Sequence, residues 1–129
     1  LMSLGGSLRW QQLEWLMFQM ASLGPMLGQT HHFVKFNAGK SAYAEERFLT
    51  ENRRLYQVLE SRLERRKFIC EEYSVADIAA WPWISRFEWQ EMNLREFPRV
   101  MDWYVRIAER PAVQRGYAVP QDLPVPMPF

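Results

Sequence analysis

An all-α bundle of about five helices, packed around one buried central helix, is the fold class this sequence predicts. Three observations predict it. Apolar residues recur at i, i+3, i+4 and i+7 in several segments, and no strand-like alternation of convincing length appears. Ser74 and Asp77 open a segment that is apolar on nearly every side, which belongs in the middle of a bundle. Glycine and proline fall between the periodic segments and divide them.

The elements follow in order. Leu13, Leu16, Met17 and Met20 form one stripe, so a helix is expected from Leu8 to Leu23. Gly24-Pro25 should kink or break it, because proline lacks the amide and crowds the preceding turn. A second half is expected to resume from Pro25 to Phe36. Asn37-Ala38-Gly39-Lys40 reads as a turn, with Ser41 as the cap of the next helix. That helix, Ala42 to about Arg66, places Ala44, Phe48, Leu55, Leu59 and Leu63 on one face. Leu49 and Tyr56 lie beside them, and charged residues, Glu60 among them, fill the rest. Glu51 and Arg54 stand three apart, a spacing suited to a surface ion pair.

A connector, Phe68 to Tyr73, leads to the capping box. Ser74 can accept from the amide of Asp77, whose carboxylate can reach back to the amide of Ser74, with Tyr73 and Ile78 placed as a hydrophobic staple. Val75, Ile78, Ala79, Ala80, Trp81, Trp83, Ile84 and Phe87 then cover nearly every direction of the helix, and Pro82 should bend it. After a link from Asn93 to Phe97, Pro98 suits the first turn of a helix carrying Val100, Trp103, Tyr104, Ile107 and Ala108. Pro111 ends that helix, and Ala112 to Tyr117 adds a further turn. The domain is therefore expected over residues 8–117. A leader at 1–7, in part foreign to the natural gene, precedes it, and a proline-rich tail at 118–129 follows.

Composition narrows the function classes. The 129 residues are 48% apolar, enough for one domain with a sizeable core. A net charge of +1, with no basic stripe beside the tryptophans, gives no case for nucleic acid or an anionic membrane. No apolar stretch approaches the ~20 residues of a membrane span. The one cysteine, Cys70, excludes an internal disulfide and agrees with a cytoplasmic protein. Glu71 and Glu72 beside it should raise its thiol pKa, which disfavours a reactive nucleophile. His31 and His32 make a poor metal site, since adjacent side chains on a helix point apart.

Leu13 to Met20, Leu23-Gly24-Pro25-Met26-Leu27-Gly28-Gln29, His31-His32-Phe33 and Tyr43 to Phe48 are followed by the box from Ser74 to Trp83. Phe97-Pro98-Arg99-Val100 and Arg110-Pro111-Ala112-Val113 close the series. In this order they resemble the C-terminal helical domain of glutathione transferases, and within them the bacterial Nu-class, disulfide-reductase-like subgroup. The resemblance runs from about Leu8 to Tyr117. It implies glutathione as co-substrate, and conjugation to electrophiles or disulfide reduction as the reaction of the intact family.

Family members carry a thioredoxin-like N-terminal domain that holds most of the glutathione site and activates the sulfur. No such pattern stands before Leu8, so this chain alone is expected to be inactive and to hold no catalytic residue of its own. Through the resemblance Arg47 corresponds to an arginine that reaches a glutathione carboxylate, as a planar fork of donors suits. Met26, Gln29, His32, Phe33 and Tyr43 correspond to part of the hydrophobic co-substrate pocket, where thioether and ring surfaces adapt to many shapes. Ordinary packing is the simpler account of these same residues, and for Arg47 an exposed pair with Glu46 or Glu51 is. Ser74 and Asp77 are assigned to capping. The resemblance also implies a homodimer, or another partner, covering the face that the N-terminal domain normally packs on. A module that binds proteins or apolar ligands on its own is the alternative.

Overall fold

The computed structural model describes all 129 residues, and their regular structure is helical without strands. Six α-helices are present: α1 (Gly6–Phe18), α2 (Gly24–Thr30), α3 (Ala42–Arg62), α4 (Val75–Ile84), α5 (Pro98–Ala108) and α6 (Pro111–Tyr117). Short 3-10 turns at Phe87–Gln90 and Leu94–Glu96 connect α4 to α5.

No break occurs at Gly24-Pro25. A wide π turn, Gln19–Leu23, joins α1 to α2 with right-handed helical backbone throughout, and a second one, His31–Phe36, extends α2. The result is one rod about 45 Å long, so five helical rods make up the bundle. The physical reason is a change of register. In the wide turn the Gly24 amide donates to the Gln19 carbonyl, which delivers the chain to Pro25 without the collision a regular ladder would impose.

The stripe expected on α1 does not face the core. Met17 and Met20 are exposed, and the buried line instead runs through Gln12, Gln19, Leu23, Leu27 and Thr30. Two glutamines lie on the packed face, which an apolar pattern does not register. Gln12 Oε1 accepts from the Ser3 amide at 2.7 Å.

α3 buries Leu55, Tyr56 and Leu59 as expected, but it ends at Arg62. There the Arg62 guanidinium donates to the Ile69 carbonyl at 2.6 Å, in the connector that returns to the core. Glu60 is buried rather than solvated. Its carboxylate accepts from the amides of Arg99 and Val100 at 3.0 Å and so caps the start of α5 from another helix.

The capping box of α4 forms. Asp77 Oδ2 accepts from the Ser74 amide at 2.9 Å, and Ser74 Oγ accepts from the Ala76 amide at 3.3 Å. Asp77 Oδ1 also accepts from the Ile69 amide at 2.9 Å and Trp103 Nε1 at 2.8 Å. The helix is buried on one side only. Ala76, Asp77, Ala80, Trp81 and Ile84 face inward, whereas Ile78 and Pro82 look outward. The tail folds back on the bundle, with Tyr104 Oη donating to the Pro126 carbonyl at 2.7 Å and Val125 and Met127 against the core. No helix is long and apolar enough to cross a membrane.

Candidate functional site

A tight turn places the first group of site residues. Gly39 has φ +81, a conformation that side chains rarely adopt, and its amide donates to Glu45 Oε1 at 2.7 Å. Ser41 Oγ then accepts from the Ala44 amide at 3.3 Å and starts α3. One turn apart on that helix, Tyr43 and Arg47 share a face, and Glu51 continues it one turn further. Opposite them α2 presents Met26. Together with Phe48 these side chains line an open cup of about 570 Å³.

The cup has an apolar floor and a charged rim. Phe33 stacks on Phe48 with ring centroids 5.5 Å apart, and His32 meets Phe33 edge-on at 4.8 Å. Glu51 is held by Arg54 through two hydrogen bonds of 2.7 and 2.8 Å. That bond, joined by the charges of Arg54 and Arg47, keeps the Glu51 carboxyl below its ordinary range. Arg47 enters none of the salt bridges of the fold and is exposed. Its guanidinium therefore stands on the rim without an ion-pair partner.

Met26, Tyr43 and Arg47 thus come together, and Phe33 joins them through Phe48. Gln29 and His32 are exposed and do not line the cup. Ser74 and Asp77 lie fully buried at the start of α4, in the core. Cys70 is buried, and burial, not the neighbouring glutamates, is the main cause that raises its thiol pKa. No group of three His, Cys, Asp or Glu side chains converges as metal ligands would.

A second concavity was not foreseen. Ile78 and Pro82 of α4, Val113 and Tyr117 of α6, and Val119 and Leu123 of the tail line a mainly apolar groove of about 530 Å³. Arg86 bridges its end, donating to Tyr117 Oη at 3.0 Å. The outward position of Ile78 in a helix read as fully buried is what hid it.

Comparison with known proteins adds to this geometry. The family model for the glutathione S-transferase C-terminal domain matches residues 20–111. A disulfide-bond oxidoreductase of Escherichia coli K12 is 46% identical over 101 residues, covering 78% of this chain and 47% of the relative. A glutathione transferase from Pseudomonas putida, solved with glutathione disulfide bound, superposes with a TM-score of 0.81 at 40% identity, over 93% of this chain and 55% of that one. One from Pseudomonas fluorescens with two glutathione molecules bound gives a TM-score of 0.86 at 36% identity, over 93% and 56%. The chain spans about half the length of the curated relatives it matches.

Proposed function

Because the chain belongs to the glutathione S-transferase C-terminal domain family, we propose that it is the helical half of a glutathione-dependent protein. It supplies one wall of the co-substrate pocket and the cationic rim of the glutathione site. A thioredoxin-like half, such as family members carry, contributes the groups that bind and ionise the thiol. The reaction served is conjugation of glutathione to electrophiles or glutathione-dependent reduction of disulfides.

One observation carries this reading: Arg47 stands free of ion pairs on the rim of a cup floored by Met26 and Phe48. A guanidinium there can grip a carboxylate of the tripeptide in two parallel hydrogen bonds. Tyr43 and Phe33 border the apolar side, and Gln29 and His32 extend it along the same rod. Trp10, Met17 and Met20, exposed on the long rod, form the face that a second copy or the thioredoxin-like half covers.

Titration calorimetry with glutathione, and turnover of chlorodinitrobenzene with host transferase removed, test the proposal. The chain alone should show neither. Supplied with a thioredoxin-like half in trans, it should bind glutathione, and Arg47→Ala should weaken that binding roughly 10-fold or more, as loss of a charge-assisted pair does. Tight capture by the chain alone, or no effect of Arg47→Ala, contradicts the assignment. The apolar groove beneath the tail favours a second reading, an apolar-ligand or docking module. A monomer by light scattering that binds no hydrophobic dye would dismiss it.

A further inference from the structure

A polar network ties the wide turn at His31 to α3 and to the segment after α4. The orientation of the Gln90 amide is forced, since the Trp83 carbonyl can only accept and so faces Nε2, at 2.8 Å. Tyr56 Oη donates to Gln90 Oε1 at 2.6 Å. The remaining hydrogen on Nε2 is directed at His31 Nε2, 3.0 Å away. That ring nitrogen must accept, so the ring proton sits on Nδ1. The imidazole packs on Trp83, with centroids 6.1 Å apart and planes within 20°, and edge-on to Trp89 at 5.6 Å.

A proton on His31 Nε2 would set N–H against N–H. Gln90 is fully buried and cannot turn away without abandoning the Trp83 carbonyl or the Tyr56 hydroxyl. His31 also begins the wide turn that carries Phe33, the ring stacked on Phe48 in the cup. We infer that His31, Gln90 and Tyr56 form a proton-sensitive lock on the wide turn that carries Phe33, closed by neutral His31 and released by its protonation. His31 and Gln90 are then positioning residues. The inference rests on the proposed function only for what the cup holds.

The surrounding charges agree. Burial first, and the Arg86 charge second, hold His31 below its ordinary 6.5. Arg86 approaches from the segment after α4, and the Lys35 ammonium, on the same wide turn as His31, lies 6.0 Å from the Trp89 ring centroid. From α3 comes Tyr56, whose hydroxyl is pushed well above 10 by burial and stays un-ionised. None of the salt bridges involves His31. Below about pH 6.5 the released form takes up a proton before the closed form does. The lock is therefore full above that pH and is lost as pH falls through the lowered value.

Nuclear magnetic resonance of the whole chain tests this without glutathione. Long-range proton–nitrogen correlation should show the His31 proton on Nδ1 at neutral pH and a midpoint below 6.5, with His32 as the second ring in the same spectrum. The Phe48 ring and Met26 methyl signals should move with the same midpoint. His31→Asn, which still offers Gln90 an acceptor, should abolish that movement. Gln90→Glu, which offers imidazolium an anion, should shift the His31 midpoint upward. A proton on Nε2, flat Phe48 and Met26 signals, or a Phe48 or Met26 step that persists in His31→Asn each overturns the inference. Failure of glutathione binding would leave it standing.

Discussion

Asp77 concentrates more of the fold than any other single side chain. Its buried carboxylate accepts from Ser74 N at 2.9 Å, Ser74 Oγ at 3.3 Å, Ile69 N at 2.9 Å and Trp103 Nε1 at 2.8 Å. Those bonds tie the connector, the start of α4 and the middle of α5 to one point. Asp77→Ala would leave buried donors unsatisfied and should cost about 3–5 kcal/mol by urea unfolding. Asp77→Asn keeps one acceptor oxygen and should cost less. A loss under about 1 kcal/mol for the alanine variant would contradict this account. The bonds to Ser74 were legible in the sequence, because the spacing of three residues is local. Those to Ile69 and Trp103 span 8 and 26 residues, so only the folded chain reveals them. Glu60 teaches the same: on a helical wheel it sits among charges, and its partners lie 39 and 40 residues away.

At the scale of elements, the long rod shows a tertiary contact overriding local chemistry. Gly24-Pro25 reads as a break, yet Gly24 serves to let the rod approach α4. A Cβ there would meet Gln19 Nε2 at 2.7 Å, and both the Gln19 carbonyl and Trp83 at 3.2 Å. Gly24→Ala should therefore destabilise by about 1–3 kcal/mol. Gly28 is the control, since its Cβ would sit 3.6 Å from Trp83, an ordinary contact. Gly28→Ala should be neutral, or stabilising by up to ~1 kcal/mol through helix propensity. Thermal melts of the two variants check the contrast, and equal effects would show that close approach is not the reason for Gly24. Helix existence was readable here from spacing and caps, and Tyr43 and Arg47 could be placed together because they share one helix. Which side of the rod is buried was not, since Gln12 and Gln19 pack inward while Met17 and Met20 point out.

Across the whole molecule, the proline-rich tail closes the bundle. Tyr104 is buried, its hydroxyl depends on the Pro126 carbonyl, and burial drives its pKa far above the usual tyrosine range. Removing residues 119–129 should cost roughly 1–3 kcal/mol, from an unpaired hydroxyl and the lost cover of Val125 and Met127. Hydrophobic-dye binding should rise as the groove loses one wall. Unchanged stability on truncation would mean that the tail only rests on the surface. The prolines announced an irregular tail in the sequence, but nothing local indicated where it would lie.

The carboxylate of Glu60 has a consequence for how this protein comes apart. Because α5 borrows the acceptor for its first amides from α3, its beginning is incomplete without that helix. A thermal fluctuation that frees one must orphan groups on the other. The two should therefore melt and re-form as a single cooperative unit.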